Sequence, residues 1–182
     1  MALVTNFERG KLIVLRGPSG AGKSTVANLI HSHVSNKTAL IDQDYYRHTM
    51  FNNLHTELEA PRYVMFAAIQ TALDHGYDVI VEGFLGMGKY EIYFNELLTH
   101  HPAENYFFYF DVSFDETLRR HSTRQKSSLL TIEKMQELYS RTGPSGYPGE
   151  CIIPETTSAE RAYQLIIETA DIPVIRDSRS TN

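Results

Sequence analysis

The stretch Gly17-Pro18-Ser19-Gly20-Ala21-Gly22-Lys23-Ser24-Thr25 limits what this chain can fold into more than any other part of it. It has the form G-x-x-x-x-G-K-[ST], and it follows directly on an apolar run, Lys11 to Leu15, that reads as a strand. Behind it, Val26, Leu29, Ile30 and Val34 recur at helical spacing, so Thr25 to His33 reads as a helix. Strand, glycine-rich turn and helix in that order make a phosphate-binding loop. Glycines let successive N–H groups turn inward around oxygens, and the helix N-terminus adds its partial positive charge. The expected nucleotide-binding residues are Gly17, Ser19, Gly20, Ala21, Gly22, Lys23, Ser24 and Thr25. Lys23 brings a positive charge to the β- and γ-phosphates, and the Ser24 hydroxyl is placed to ligate a metal ion. ATP and Mg²⁺ are therefore the expected cofactors.

The rest of the chain alternates apolar runs with helical patterns, the rhythm of a parallel sheet covered on both faces. Thr38 to Ile41, Tyr77 to Val81, Asn105 to Phe110 and Cys151 to Ile153 read as further strands. A long helix is signalled either by Thr56-x-x-Glu59, which has capping-box form, or by Pro61 in a first turn. Val64, Met65, Ala68, Ile69, Ala72 and Leu73 are its apolar stripe, and Gly76 ends it. Other helices are expected over Lys89 to Thr99, from the capping box Ser113-x-x-Glu116 as far as Arg124, over Thr131 to Arg141, and over Ser158 to Ala170. Gly143 to Gly149 is too rich in glycine and proline to be regular, and Asp177 to Asn182 reads as a frayed end. The expected fold is three-layer α/β: a parallel five-stranded sheet with helices on both faces and a small helical lid over about residues 119–142. One domain is expected to span residues 1–182.

Composition narrows the function classes. A chain of 182 residues, 42% hydrophobic, suits one α/β unit with a proper core. The single cysteine, Cys151, rules out an internal disulfide and reads as a small buried thiol in a reducing compartment. Met1 to Arg9 lacks the basic start and apolar core of a signal peptide, and no apolar run approaches membrane-spanning length, so a cytoplasmic location is expected. A net charge of −5 gives no global basic footprint for long nucleic acid, which leaves a short or local polynucleotide site open. The eight histidines show no ligand spacing for zinc, and His100-His101 reads as a helix end.

In an open parallel sheet the ligand sits beyond the carboxyl ends of the strands. Asp42 and Asp44 follow the second strand, Glu82 the third and Asp111 the fourth, so carboxylates border the region where the loop presents a γ-phosphate. Phosphoryl transfer to an alcohol needs a group to take the hydroxyl proton. Asp44 is the expected base, with a helix N-cap as its other reading. Arg47, one helical turn on, can grip an acceptor phosphate or carboxylate, or form a surface ion pair. Asp42 and Glu82 are expected on the acceptor side. Glu82, in Walker B position, either binds Mg²⁺ through water or orients the acceptor. Arg120 and Arg124 share a helix face that Arg119 does not, which suits a lid that neutralises the transferring phosphate, with Arg120 on the nucleotide and Arg124 in catalysis. Tyr45, Tyr46 and Phe51 either stack on a base or pack beneath the following helix.

These motifs resemble the kinase domain of phage-type polynucleotide 5′-kinases, within the small P-loop kinases that include zeta-toxin-like and antibiotic phosphotransferase enzymes. Asp44-Tyr-Tyr-Arg47 is similar to that family's D-x-x-R element, which implies Asp44 as general base and Arg47 on the acceptor phosphate. Phe110-Asp111-Val112 followed by Arg120-His-Ser-Thr-Arg124 is similar to the strand and lid arginines, and Ile132 to Tyr139 to the helix after the lid. The likeness runs over about Leu12 to Arg141. The chain departs from it at Glu82, where the phage enzymes would carry Asp, in the lack of their attached phosphatase domain, and at Gly143 to Glu150. Three readings follow. The first is a kinase of a hydroxyl on a nucleotide, nucleoside or nucleic-acid 5′ end. The second is a kinase of a small molecule such as an antibiotic or sugar, and the third a nucleotide-binding switch or ATPase without an acceptor.

Overall fold

The computed structural model describes residues 10–52, 59–86, 88–102, 104–122 and 131–175. In chain order they form β1 (Leu12–Arg16), α1 (Lys23–His33), β2 (Thr38–Asp42), a π-helical turn (Tyr45–Met50), α2 (Ala60–Asp74) and β3 (Asp78–Gly83). There follow α3 (Glu91–His100), β4 (Asn105–Asp111), α4 (Phe114–Ser122), α5 (Ile132–Tyr139), β5 (Cys151–Pro154) and α6 (Ala159–Thr169). The five strands are parallel, in the order β2-β3-β1-β4-β5. The strand that leads into the phosphate loop is therefore central, and the chain reverses direction across the sheet on its two sides, the position where open α/β sheets bind ligands.

Strand side chains alternate between faces, and this builds two cores from one short strand. Ile13 and Leu15 of β1 pack with Val26, Ala27 and Ile30 of α1 and with Ala162 and Ile166 of α6. Leu12 and Val14 pack on the opposite face with Met65, Phe66 and Ile69 of α2 and with Phe94 and Leu97 of α3. The result is the expected three-layer α/β architecture. Among the described residues no helix is long and apolar enough to cross a membrane.

Several element ends differ from the sequence expectation. Four strands run on beyond their apolar residues, to Arg16, Asp42, Gly83 and Asp111, because parallel pairing continues there: Asp42 is opposite Glu82, and Arg16 opposite Gly83. Asp42, Glu82 and Asp111 thus stand within the strand ends rather than after them. Helix α1 begins at Lys23, two residues before the expected start. Helix α2 begins at Ala60 with Pro61 in its first turn, and Thr56 lies outside the described residues. Ser113 does accept a bond from the Glu116 N–H (3.3 Å), but the reciprocal half of the capping box is missing. The Ser113 N–H goes to Glu155 instead (2.9 Å), while Glu116 is held by Arg119 and Arg120. Cys151 opens the edge strand β5 and is only partly buried, a correction to the buried thiol expected.

Candidate active site

The turn after β1 has the backbone its glycines predict. Gly17 lies at φ 143°, and a Cβ there would come within 2.6 Å of the Phe110 carbonyl oxygen. Gly22, at φ 100°, is the left-handed N-cap of α1 and contributes no side chain to the helix end; α1 has no acid in its first turn. Its first N–H groups are thus left for an anion. Lys23 is buried, and its Nζ donates to the Pro18 carbonyl at 2.8 Å, which folds the lysine back over the loop.

Across from the loop, parallel register sets Glu82 between Leu15 on β1 and Asp42 on β2. Glu82 is 5% exposed. Burial pushes its carboxyl above the ordinary range, the Lys23 charge pulls it back down, the Asp42 charge raises it, a hydrogen bond with the Ser24 side chain lowers it, and the Asp44 charge raises it again. Lys23, Ser24, Asp42, Asp44 and Glu82, five residues singled out from the sequence, thus form one electrostatic cluster. A hydroxyl and a buried carboxylate are hard oxygen donors of the kind Mg²⁺ accepts. Among the described residues no cluster of three His, Cys, Asp or Glu could by itself hold a metal.

Asp44 sits at the head of the π-helical turn, but its side chain makes no capping bond, so the N-cap reading does not apply. Its N–H donates to Asp42 Oδ1 at 2.7 Å, while its own carboxylate stays 75% exposed with His48 Nε2 3.8 Å away. Of the aromatic residues here, Tyr46 packs partly into the core on the α2 and α3 side, whereas Tyr45 is 52% exposed.

Between the two aspartates stands a residue to which the sequence reading gave no role. Gln43 is buried; its Nε2 donates to the Tyr90 hydroxyl at 2.5 Å, and its Oε1 accepts from the Leu85 N–H at 3.1 Å. A Cβ on Gly83 would lie 2.6 Å from Gln43 Cβ, so the glycine directly after Glu82 was the available signal of a close approach. Arg62 was also missed; its guanidinium carbon lies 5.7 Å from the centre of the Tyr90 ring. Arg47 is half-buried in the π-helical turn, and its charge also reaches Tyr90.

On the other side of the loop, α4 is tied down by Arg120. Its Nη1 donates to the Ala21 carbonyl (3.1 Å), its Nη2 to the Glu155 carbonyl (3.2 Å) and its Nε to Glu116 (2.6 Å). Arg119 is 68% exposed and among the described residues pairs only with Glu116, so of these two arginines it is Arg120 that reaches the phosphate loop. Arg124 and residues 123–130 of the expected lid lie outside the described residues. Beside Arg120 a cavity of about 270 Å³ opens against the loop, lined by Gly22, Thr25, Val112, Pro154 and Ser158 among others.

Directly before Gly17, Arg16 is 2% exposed and paired at 2.9 Å with Glu150, whose side chain is 4% exposed. Arg16 also donates to the Gly143 carbonyl (2.9 Å) and lies 5.3 Å from the centre of the Tyr109 ring. Glu150 in turn accepts from the Ser145 N–H (2.5 Å), and Tyr147 packs on Phe107. The segment the sequence left without a role is thus clamped across the carboxyl end of the sheet. A charged residue closing the apolar run of β1 was the only sign of it.

A family model described as an AAA domain matches residues 12–144. Solved structures share the fold at low identity. A sugar kinase from Janibacter sp. is 16% identical with a TM-score of 0.68, over 90% of this chain and 95% of that one. The APS kinase of Mycobacterium tuberculosis, solved with AMPPNP and APS, is 18% identical with a TM-score of 0.66, over 90% and 98%. A chain of the Pnkp1/Rnl/Hen1 RNA repair complex is 16% identical with a TM-score of 0.58, over 100% of this chain and 54% of that one. No curated protein sequence matches the chain.

Proposed function

The chain belongs to that AAA-domain family, and we propose that it is an ATP-dependent phosphotransferase that moves the γ-phosphoryl group to a hydroxyl of a nucleotide, nucleoside or nucleic-acid 5′ end. The observation that carries this reading is the electrostatic cluster of Lys23, Ser24, Asp42, Asp44 and Glu82. Besides the Walker B-type acid that P-loop nucleotide sites in general use, it adds the exposed Asp44 carboxylate, a group that can take an alcohol's proton and that nucleotide binding alone does not need.

In this reading the N–H groups from Gly17 to Thr25 surround the phosphates, and the cavity beside Arg120 takes the nucleoside. Lys23 leaves the Pro18 carbonyl for the β- and γ-phosphate oxygens. Ser24, with Glu82 directly or through water, would hold Mg²⁺, which would balance charge on the phosphoryl oxygens. Asp44 is the base: its exposed carboxylate can meet an incoming hydroxyl, and the bond from its N–H to Asp42 fixes its backbone. Arg47 engages an acceptor phosphate, as the resemblance to the polynucleotide kinases implies, and Arg120 and Arg124 neutralise the transferring group from the α4 side. The net charge of −5 supports a second reading, a neutral small-molecule acceptor such as a sugar.

Labelled transfer from γ-³²P-ATP to 5′-hydroxyl oligonucleotides, nucleosides and neutral alcohols tests the reading. Label on a nucleic-acid or nucleoside hydroxyl supports it; label on neutral small alcohols alone selects the second; hydrolysis indifferent to every acceptor overturns both. Asp44→Asn should nearly abolish transfer while Mg·ATP binding, followed by calorimetry, stays within about twofold of wild type.

A further inference from the structure

Arg62 stands in the first turn of α2, where a positive charge opposes the partial positive charge of the helix N-terminus and no acidic residue in that turn offsets it. Helix stability therefore does not explain an arginine here. Its guanidinium is laid over the Tyr90 ring, and its positive charge favours the ionised form of both the Tyr90 and the Tyr93 phenol. Tyr90, the buried N-cap of α3, is itself immobilised by Gln43, the residue immediately before Asp44. Arg47 is the second cation acting on Tyr90, and it comes from a different element, the π-helical turn. Both arginines are half-buried. Among the described residues neither has a carboxylate within 4.0 Å.

Two partly desolvated guanidinium groups, one over the Tyr90 ring and one acting on it from the π-helical turn, with no carboxylate within 4.0 Å of either among the described residues, make a concentrated positive field beside the proposed base. A carboxylate's two oxygens are filled by one guanidinium fork, whereas a phosphate monoester carries three terminal oxygens and close to two charges, enough for two forks. We infer that Arg62 is a specificity-determining residue that, with Arg47, binds a phosphate carried by the acceptor near its reactive hydroxyl, so that a phosphorylated alcohol is selected over its neutral counterpart. This rests on the phosphotransferase reading above and narrows its substrate class. Gln43 and Tyr90 act as positioning residues: they tie the cradle to the end of β2, so a phosphate seated on the arginines holds its neighbouring hydroxyl close to Asp44.

The test is calorimetric titration of the protein saturated with Mg·AMPPNP, so that the donor site is filled. The ligands are adenosine, adenosine 3′-monophosphate, a hexose and its monophosphate, and the proteins wild type, Arg62→Ala and Arg62→Lys. In wild type at least one phosphorylated ligand should bind ten-fold or more tighter than its neutral partner. Arg62→Ala should lower that preference about ten-fold with AMPPNP affinity unchanged, and Arg62→Lys, which keeps charge and fold but not the fork, should restore part of it. A preference for the hexose phosphate alone leaves the cradle standing and sinks the nucleotide acceptor. Equal affinity for phosphorylated and neutral ligands in wild type, or a preference untouched in Arg62→Ala, overturns the inference. The same titrations without AMPPNP in a Lys23→Ala background, where the phosphate loop is weakened, read the cradle even if the donor nucleotide fails to bind.

Discussion

At Glu82, burial and charge are in direct conflict. A carboxylate 5% exposed within a parallel strand is costly to ionise, and its neighbours only partly relieve that. Its pKa in the folded state is raised above the unfolded value, so between those two values the folded protein binds more protons than the unfolded chain. Stability from this group is therefore highest at low pH and falls as pH rises through that window. Glu82→Gln should flatten this fall: thermal melts of the nucleotide-free protein from pH 4.5 to 8 should show the variant gaining on wild type as pH rises. The same substitution should reduce phosphoryl transfer, since a neutral amide can neither attract a cation nor accept a proton. Unchanged transfer with a flattened pH profile would leave Glu82 a structural acid only.

At the scale of elements, the Arg16–Glu150 pair shows how an irregular segment is held. Gly143 to Gly149 has no ladder of its own; besides the packing of Tyr147 on Phe107, it is anchored by one buried guanidinium that meets Glu150, the Gly143 carbonyl and the Tyr109 ring together. Removing one partner of such a pair strands a buried charge, which costs about 3–5 kcal/mol. Glu150→Ala should therefore lower the melting temperature by roughly 6–20 °C for a chain of this size. Replacing both, as Arg16→Met with Glu150→Leu, should recover most of that loss, because no charge is then left unpaired. If the double variant is no better than the single one, the packing of the segment, and not the ion pair, holds it. Helix α4 is fixed in a comparable way: the Arg119 and Arg120 guanidiniums hold the Glu116 carboxyl down to about 2, and Arg120 also reaches the phosphate loop.

At the scale of the whole molecule, the central place of β1 couples the binding loop to both cores, since its five residues are wholly buried and alternate between the two faces. A ligand that orders the loop should then stabilise the entire fold. Mg·ATP at a hundred times its dissociation constant contributes about 2.7 kcal/mol, a rise of roughly 5–11 °C in melting temperature for a chain of this length. Lys23→Ala should remove most of that shift while leaving the unliganded melt close to wild type. An unliganded protein that already fails to fold would instead give Lys23 a structural role through its bond to Pro18.

The parallel five-stranded sheet, its helices and the phosphate loop were all legible in the sequence, because each rests on local pattern: apolar runs of strand length, helical stripes, and a spacing of glycines, lysine and serine that serves one backbone shape. The five residues of the proposed phosphoryl site were legible for the same reason, since strand-end acids in this topology fall on one edge. Gln43, Arg62, Tyr90, Arg16 and Glu150 were not, because each draws its meaning from a partner far away in the chain. Only the tertiary structure decided that Arg62 turns away from its own helix onto Tyr90, that Asp44 does not cap its turn, and that Glu150 reaches back to the residue before Gly17. Local periodicity encodes which face of an element is apolar; which polar side chains meet across elements is fixed by strand order and packing, and short-range pattern carries no record of either.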